Sequence, residues 1–274
     1  MPKEDKDRHR EEFEALLAIF EKFINNTSSV YGPWEVMEEL MSLRAEFAIH
    51  YAFDGFGMEY SEALELLRQT EEGLTEEDKA KRDIIVAAVD NLVDFAVAEE
   101  YQMASELSDI DEIDEDDDEE ILAIFDKYNN RYALIENQDI KYAMMVAAQL
   151  VLVDNATSLT YMTQGDERVR PWHLQYEGFT ALKSKFPGWL VPPIEHACRC
   201  YLVEDSVFNK ASNISKVVSE IPQKPQWFNP TFKECVAFGG RIFSDEHPYF
   251  MIDKRHQEIL EIIANRIKNK YWNG

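Results

Sequence analysis

The 274-residue chain contains no apolar run of the length that crosses a membrane, roughly 18 residues or more. The longest candidate, 143–153, is interrupted by Gln149. The first residues, MPKEDKDRHREEFE, mix acids and bases and lack the apolar core of a signal peptide. We therefore expect a chain that does not enter a membrane and that stays in the cytoplasm or in a particle assembled there.

Cysteine is scarce, with only three in the chain. So few cysteines exclude the disulfide framework of a small secreted domain and suit a reducing compartment. Cys198 and Cys200 are separated by one residue, which is a poor geometry for a mutual disulfide in an extended segment. The pair therefore belongs either to a packed strand or to a metal site.

Basic side chains are rare in the first half of the sequence. Residues 1–150 hold 39 acidic and 13 basic side chains, whereas residues 151–274 hold 14 and 15, so the first half carries all of the excess in the net charge of −25. Contacts to phosphate need clustered Lys or Arg, so we expect this half to repel nucleic acid and anionic lipid. Its acidity either keeps a helical region soluble or suits a basic partner surface.

Hydrophobic residues make up 45% of the chain, which excludes a fully disordered protein. Apolar residues at spacings of three and four predict amphipathic helices. We expect these helices at 8–26, from Pro33, at 61–69, at 75–107, at 119–155 with one break near 129–130, and at the C-terminus. Thr75 and Asp78 form a variant of the capping box that starts a helix.

The segment 108–120 reads SDIDEIDEDDDEE and is predicted to be an exposed linker, because adjacent acidic side chains repel. A calcium loop starting at Asp109 would need glycine where Asp114 stands. The expected fold is a predominantly helical α+β protein. It has an acidic helical domain (1–107), the linker, a motif domain with a small antiparallel sheet and a long ordered loop (121–252), and a C-terminal helix (253–274).

Two β-prone segments, 159–163 and 198–202, are predicted to pair and to bring the ends of the intervening loop together. That pairing would place His173 and His196 near Cys198 and Cys200, whose side chains share one face of a strand while Arg199 lies opposite. Two imidazoles and two thiolates form a competent tetrahedral zinc set. The alternative is buried cysteines with hydrogen-bonded histidines and no cofactor at all.

The charges of Asp166, Glu167, Arg168 and Arg170 alternate within the same loop, which favours an Asp166–Arg clamp that ties the loop down. An HNH-like metal nuclease, or another enzyme built on a Cys–His pair, is the catalytic alternative. The sequence lacks a basic substrate surface, a phosphate cradle and a dinucleotide fingerprint. We therefore expect a structural protein rather than an enzyme.

Residues 163–203 read TQGDERVRPWHLQYEGFTALKSKFPGWLVPPIEHACRCYLV and resemble the phage Mu F-like head morphogenesis family, the minor head proteins. The family's mark is an Asp-x-x-Val-Arg-x-x-His stretch, a glycine in the loop and a Pro-Pro-x-x-His-x-x-Cys-Arg-Cys stretch, which this sequence matches with one residue between His196 and Cys198. The matching residues are Asp166, Val169, Arg170, His173, Gly178, Pro192, Pro193, His196, Cys198, Arg199 and Cys200. Looser matches are Glu136, within a preceding helix, and the downstream stretches 228–230 and 243–250.

The resemblance covers roughly residues 120–252, and residues 1–118 match nothing familiar. The loop departs from the family at Gln175-Tyr176-Glu177-Gly178, where relatives often have Leu-Asp-Gly. Family membership implies a virion component that acts in head assembly at or near the portal, made in the host cytoplasm. Its partners would be the portal protein and major capsid or scaffold proteins, and it would lie near packaged DNA without sequence-specific binding. An internal cargo protein ejected with the genome is the alternative within the same particle.

Overall fold

The computed structural model describes residues 2–25, 33–108, 118–204, 220–228 and 230–273. Its helices are α1 (Lys3–Asn25), α2 (Pro33–Phe56), α3 (Tyr60–Arg68), α4 (Glu76–Ser108), α5 (Asp118–Asp126), α6 (Ala133–Val151), α7 (Pro171–Leu174) and α8 (Lys254–Asn273). Three short strands form one antiparallel sheet. The expected class, a predominantly helical α+β fold, is confirmed. No helix in the described ranges is long and apolar enough to span a membrane.

One large hydrophobic core joins the long helices. Helix α2 lies at its centre and packs against α1, α4 and α6, while α8 packs on α4. Leu40, Ile85, Phe125 and Ile263 are all buried in this core. Residues on both sides of 108–120 therefore share one interior with the C-terminal helix. The hydrophobic core thus crosses the boundaries of the expected domains. Residues 109–117 of the predicted linker lie outside the described residues.

Helices α2 and α6 approach so closely that only glycine fits at their crossing. A Cβ atom added at Gly55 would overlap the backbone carbonyl of Lys141 on α6. Gly55 lies within α2, and the helix ends one residue later at Phe56.

The break expected near residues 129–130 is a π-helical turn, Lys127–Tyr132, that joins α5 directly to α6. Such turns insert one residue into a helix and turn its side chains toward new neighbours. Asn129 is consequently buried against α4, with its Nδ2 atom 3.2 Å from the sulfur of Met103. Asn130 reaches α1, where its Oδ1 atom lies 3.0 Å from Nε2 of His9.

The predicted cap at the start of α4 is confirmed, because the backbone N–H of Asp78 donates to the Thr75 hydroxyl at 3.1 Å. The Thr75 hydroxyl in turn donates to the Asp78 carboxylate at 2.7 Å. This reciprocal pair satisfies one of the free N–H groups at the helix start.

The sheet consists of β1 (Ser158–Met162), β2 (Thr180–Leu182) and β3 (Tyr201–Glu204) in the order β2-β1-β3. Leu159 pairs with Glu204 on one side and with Ala181 on the other. The predicted pairing is corrected in register, because β3 begins at Tyr201 and both Cys198 and Cys200 precede it. Strand β2, which lies within the predicted loop, was not expected from the sequence.

A second, smaller core lies under this sheet. Leu159, Phe179, Phe186 and Ile194 are buried in it, together with Leu150 near the end of α6. Helix α6 therefore contributes to both cores and links the helical layer to the sheet and its loop.

Candidate metal centre

His173 on α7 and the two cysteines before β3 form a buried cluster. The Nδ1 atom of His173 lies 3.2 Å from the Cys200 sulfur and 3.9 Å from the Cys198 sulfur. The three atoms all lie within 4.8 Å of one another. Zinc bonds of about 2.0 Å to nitrogen and about 2.3 Å to sulfur, at tetrahedral angles, place N and S about 3.6 Å apart. The cluster can therefore hold a metal ion such as zinc.

The histidine ring is oriented by Glu195. The Nε2 atom of His173 lies 3.2 Å from Glu195 Oε2, which also accepts a hydrogen bond from Trp172 Nε1 at 2.9 Å. Arg170 pairs with the other oxygen of this carboxylate at 3.0 Å. An ionised carboxylate only accepts, so Nε2 carries the ring proton and the lone pair of Nδ1 faces the thiols. A carboxylate behind a ligating histidine is the usual arrangement at zinc sites.

Two tyrosines enclose the sulfurs from the side of β1 and α6. The Tyr161 hydroxyl is buried, faces both cysteines and makes no well-formed hydrogen bond within the described part of the chain, and burial raises the pKa of Tyr161. Tyr142 donates to the carbonyl of Cys200. The hydrogen bond between the two sulfurs raises the pKa of Cys198 and lowers the pKa of Cys200.

His196, the fourth residue of the expected zinc set, does not join this cluster. Its Nδ1 atom lies 2.9 Å from Asp139 Oδ2 on α6, and its ring packs edge-on against Phe232. The other Asp139 oxygen accepts the backbone N–H of Ala197 at 2.9 Å, and Ala197 itself has a left-handed φ of 56°. His196 therefore anchors the loop to α6, and three residues of the expected four remain as candidate ligands.

The predicted Asp166 clamp forms with Arg199 rather than with Arg168 or Arg170. Both oxygens of Asp166 accept from the Arg199 guanidinium, at 2.8 and 2.7 Å. That hydrogen bond lowers the pKa of Asp166. Arg170 donates to the carbonyl of His196 at 2.9 Å besides pairing with Glu195. The two arginines therefore tie the beginning of the loop to its end.

The remaining motif residues shape the backbone of the loop. Val169 donates its N–H to the carbonyl of Asp166 and closes a turn. Gly178 has a φ of 81° and donates to the carbonyl of Tyr161, a conformation that disfavours other residues. Pro192 and Pro193 are buried and joined by a cis peptide bond.

Sequence reasoning missed the partners of the motif. Glu195, Trp172 and Asp139 were not singled out, although Glu195 stands inside the Pro-Pro-x-x-His stretch. Their roles depend on tertiary contacts across 22 to 58 residues of sequence, which local patterns do not reveal.

A second polar cluster, also missed, lies in the helical core. Arg44 on α2 is fully buried and donates to Glu99 at 2.8 Å, to Glu12 at 3.2 Å and to Glu136 at 3.3 Å. Asn137 and Tyr249 complete it, because Asn137 donates to Glu12 at 2.7 Å and Tyr249 to Glu136 at 3.0 Å. The arginine occupies the centre of these carboxylates and serves as their resident cation.

No family model, curated protein or solved structure matches the chain.

Proposed function

We propose that the chain is a structural minor head protein of a tailed bacteriophage, acting in head assembly at or near the portal vertex. The resemblance of residues 163–203 suggests the family. A structural role, rather than a catalytic one, is supported by the use of the charged motif side chains within the chain. Asp166 binds Arg199, Arg170 binds Glu195 and His196 binds Asp139. Side chains held in such pairs fix a loop in place.

The looser parts of the resemblance support the same proposal. Glu136, from the helix before the motif, accepts a hydrogen bond from Tyr249 in the stretch after it. The two residues are 113 positions apart in the sequence. Their contact joins α6 to the stretch after the motif, as a shared family domain requires.

Mass spectrometry of gradient-purified particles from the producing lysate tests this assignment. We expect the chain in the particles at low copy number relative to the portal protein. Its absence from particles that contain portal and major capsid protein would contradict the proposal. Comparing full with emptied particles then separates a retained head component from cargo, because only cargo leaves with the genome.

We further propose that His173, Cys198 and Cys200 bind one structural zinc ion. The ligand distances fit tetrahedral zinc, and Glu195 leaves the Nδ1 lone pair of His173 free for a metal. Zinc would link α7 to the segment before β3 and so close the long loop around its small core. Tyr161, whose hydroxyl faces the sulfurs, or a water molecule supplies the fourth ligand.

Metal analysis of protein purified without chelators tests the zinc proposal. We expect about one zinc per chain in the wild type and its loss in Cys198→Ser. Cys235→Ser is the matched control, because Cys235 is equally buried but lies outside the cluster. His196→Asn should also retain zinc. Weaker zinc binding in Tyr161→Phe would identify Tyr161 as the fourth ligand, and unchanged binding would indicate a water molecule. Wild-type protein with clearly less than stoichiometric zinc would refute the site.

Wild-type protein and a His173→Ala variant distinguish a structural role from a catalytic one. A plasmid-cleavage assay with added divalent metals should detect no nuclease activity in wild-type protein. Cleavage that requires metal and disappears in a folded His173→Ala variant would replace the structural role with an enzymatic one.

A further inference from the structure

A cleft of about 530 Å³, lined by none of the metal-centre residues, lies between the end of α2, α3, the start of α4 and the end of α6. Its floor is apolar and includes Phe56, Leu66, Ala148 and Val151. Leu152 lies at its edge with 65% of its surface exposed. The volume is in the range of about 300–1,000 Å³ that is typical of binding sites.

The rim of the cleft is acidic. Glu62 and Glu65 on α3 are exposed, and neither forms an ion pair within the described residues. Asp78 adds a third carboxylate, which is engaged by Thr75. Lys81, the basic residue of the rim, is held by Glu77 at 2.6 Å. Two free carboxylates thus stand beside an apolar floor.

This combination specifies the chemistry of an occupant. An apolar floor accepts aliphatic side chains, and free carboxylates beside it attract cationic groups and repel anionic ones. An amphipathic helix that presents Leu-type residues on one face and Lys or Arg along its edge satisfies both requirements.

We propose that this cleft docks a short basic amphipathic helix of a partner protein, with apolar side chains on its floor and cations at Glu62 and Glu65. The inference concerns α2, α3, α4 and α6 and does not rest on the proposed head-assembly function or on the zinc site.

Fluorescence anisotropy with a labelled 14-residue peptide, two repeats of Lys-Leu-Ala-Lys-Leu-Ala-Lys, tests the proposal on the full chain. We expect saturable binding that weakens roughly tenfold in Glu62→Gln/Glu65→Gln, a change of about 1.4 kcal/mol. Ala148→Trp, which fills the cleft, should also abolish most binding. Glu258→Gln/Glu261→Gln on the exposed face of α8 removes the same charge elsewhere and should leave the affinity unchanged.

Three outcomes would overturn the proposal. The cleft variants could bind as the wild type does. The α8 control could weaken binding equally, and that result would indicate unspecific attraction between opposite charges. Light scattering could also show a wild-type dimer that Ala148→Trp dissociates, which would make a second copy of the chain the occupant. If Ala148→Trp does not fold, Leu152→Gln replaces it, because Leu152 is exposed and a neutral polar side chain removes apolar surface at the cleft without adding a carboxylate.

Discussion

The helical core and the motif loop both place polar side chains in the interior, but they neutralise them differently. In the core, Arg44 is surrounded by the carboxylates of Glu12, Glu99 and Glu136, so charge meets charge inside one chain. In the loop, Asp166 and Arg199 pair at the surface, and the interior holds a histidine and two thiols. The first arrangement contains its own cation, whereas the second provides ligands for one.

The single positive charge of Arg44 does not neutralise all the carboxyl groups of the core cluster. Glu100 on α4 adds a fourth fully buried carboxyl, which faces Asn129 without a well-formed hydrogen bond. Burial raises the pKa of Glu99 and Glu136, and raises the pKa of Glu100 to about 8. Part of the cluster therefore stays protonated near neutral pH, because one guanidinium cannot compensate four carboxylates in a dry interior.

Replacing Arg44 should change the stability of the protein more than any other substitution in the two regions. Arg44→Met leaves three buried carboxylates without their cation, and we expect a loss of about 3–5 kcal/mol in the free energy of unfolding. Urea denaturation followed by circular dichroism measures it. Arg10→Met is the control, because Arg10 is 70% exposed and forms only long pairs on α1. A similar stability for the two variants would mean that the buried cluster contributes little.

Removing the metal should loosen the sheet and its loop and leave the helical core unchanged. If zinc closes the loop, chelation should raise hydrogen exchange of backbone amides in β1, β2 and β3 by at least tenfold, while α2 and α4 keep their protection. Mass spectrometry of peptides from both regions measures the difference. Uniform deprotection of core and sheet would instead show that the two hydrophobic cores unfold together.

The sequence predicted the helices well because their apolar stripes are local and periodic. It predicted His173, Cys198 and Cys200 as neighbours because a plausible strand pairing brought the loop ends together, even though β3 begins later than expected. It assigned His196 to the metal because residue type alone does not reveal that Asp139, 57 positions away, holds its ring. No local pattern marks Arg44 and Glu99 as buried, since a charged residue on a helix normally faces water. Only tertiary packing of four helices makes that face an interior.

The protonation of Glu100 should make the stability of the core depend on pH. Its pKa is about 8 in the folded chain and ordinarily 4.5, so the folded state keeps a proton that the unfolded state releases between these values. Its contribution to stability is therefore complete below about pH 4.5 and is lost as pH rises toward 8. Glu100→Gln, which mimics the neutral acid, should match the wild type near pH 4.5 and exceed it by at least about 1 kcal/mol at pH 8.

Urea unfolding of both proteins at pH 5, 6.5 and 8 measures this difference. A gap between wild type and Glu100→Gln that stays constant across the series would show that Glu100 does not change its protonation in the window. The sheet region provides an internal reference, because the protection of its amides, measured relative to the intrinsic exchange rate at each pH, should not follow the same pH dependence.

Breaking the exposed clamp should have the smallest effect. Asp166 and Arg199 lie at the surface with side chains 42% and 36% exposed, where water and salt screen the pair. We expect Asp166→Asn to lower the melting temperature by less than about 2 °C.

Glu195→Gln, in contrast, replaces the carboxylate that orients His173 and should reduce zinc affinity roughly 10- to 100-fold. Competition with a zinc-binding dye compares the two variants. Equal affinities would mean that the orientation of His173 does not depend on Glu195, and that the loop holds its ligands through backbone shape alone.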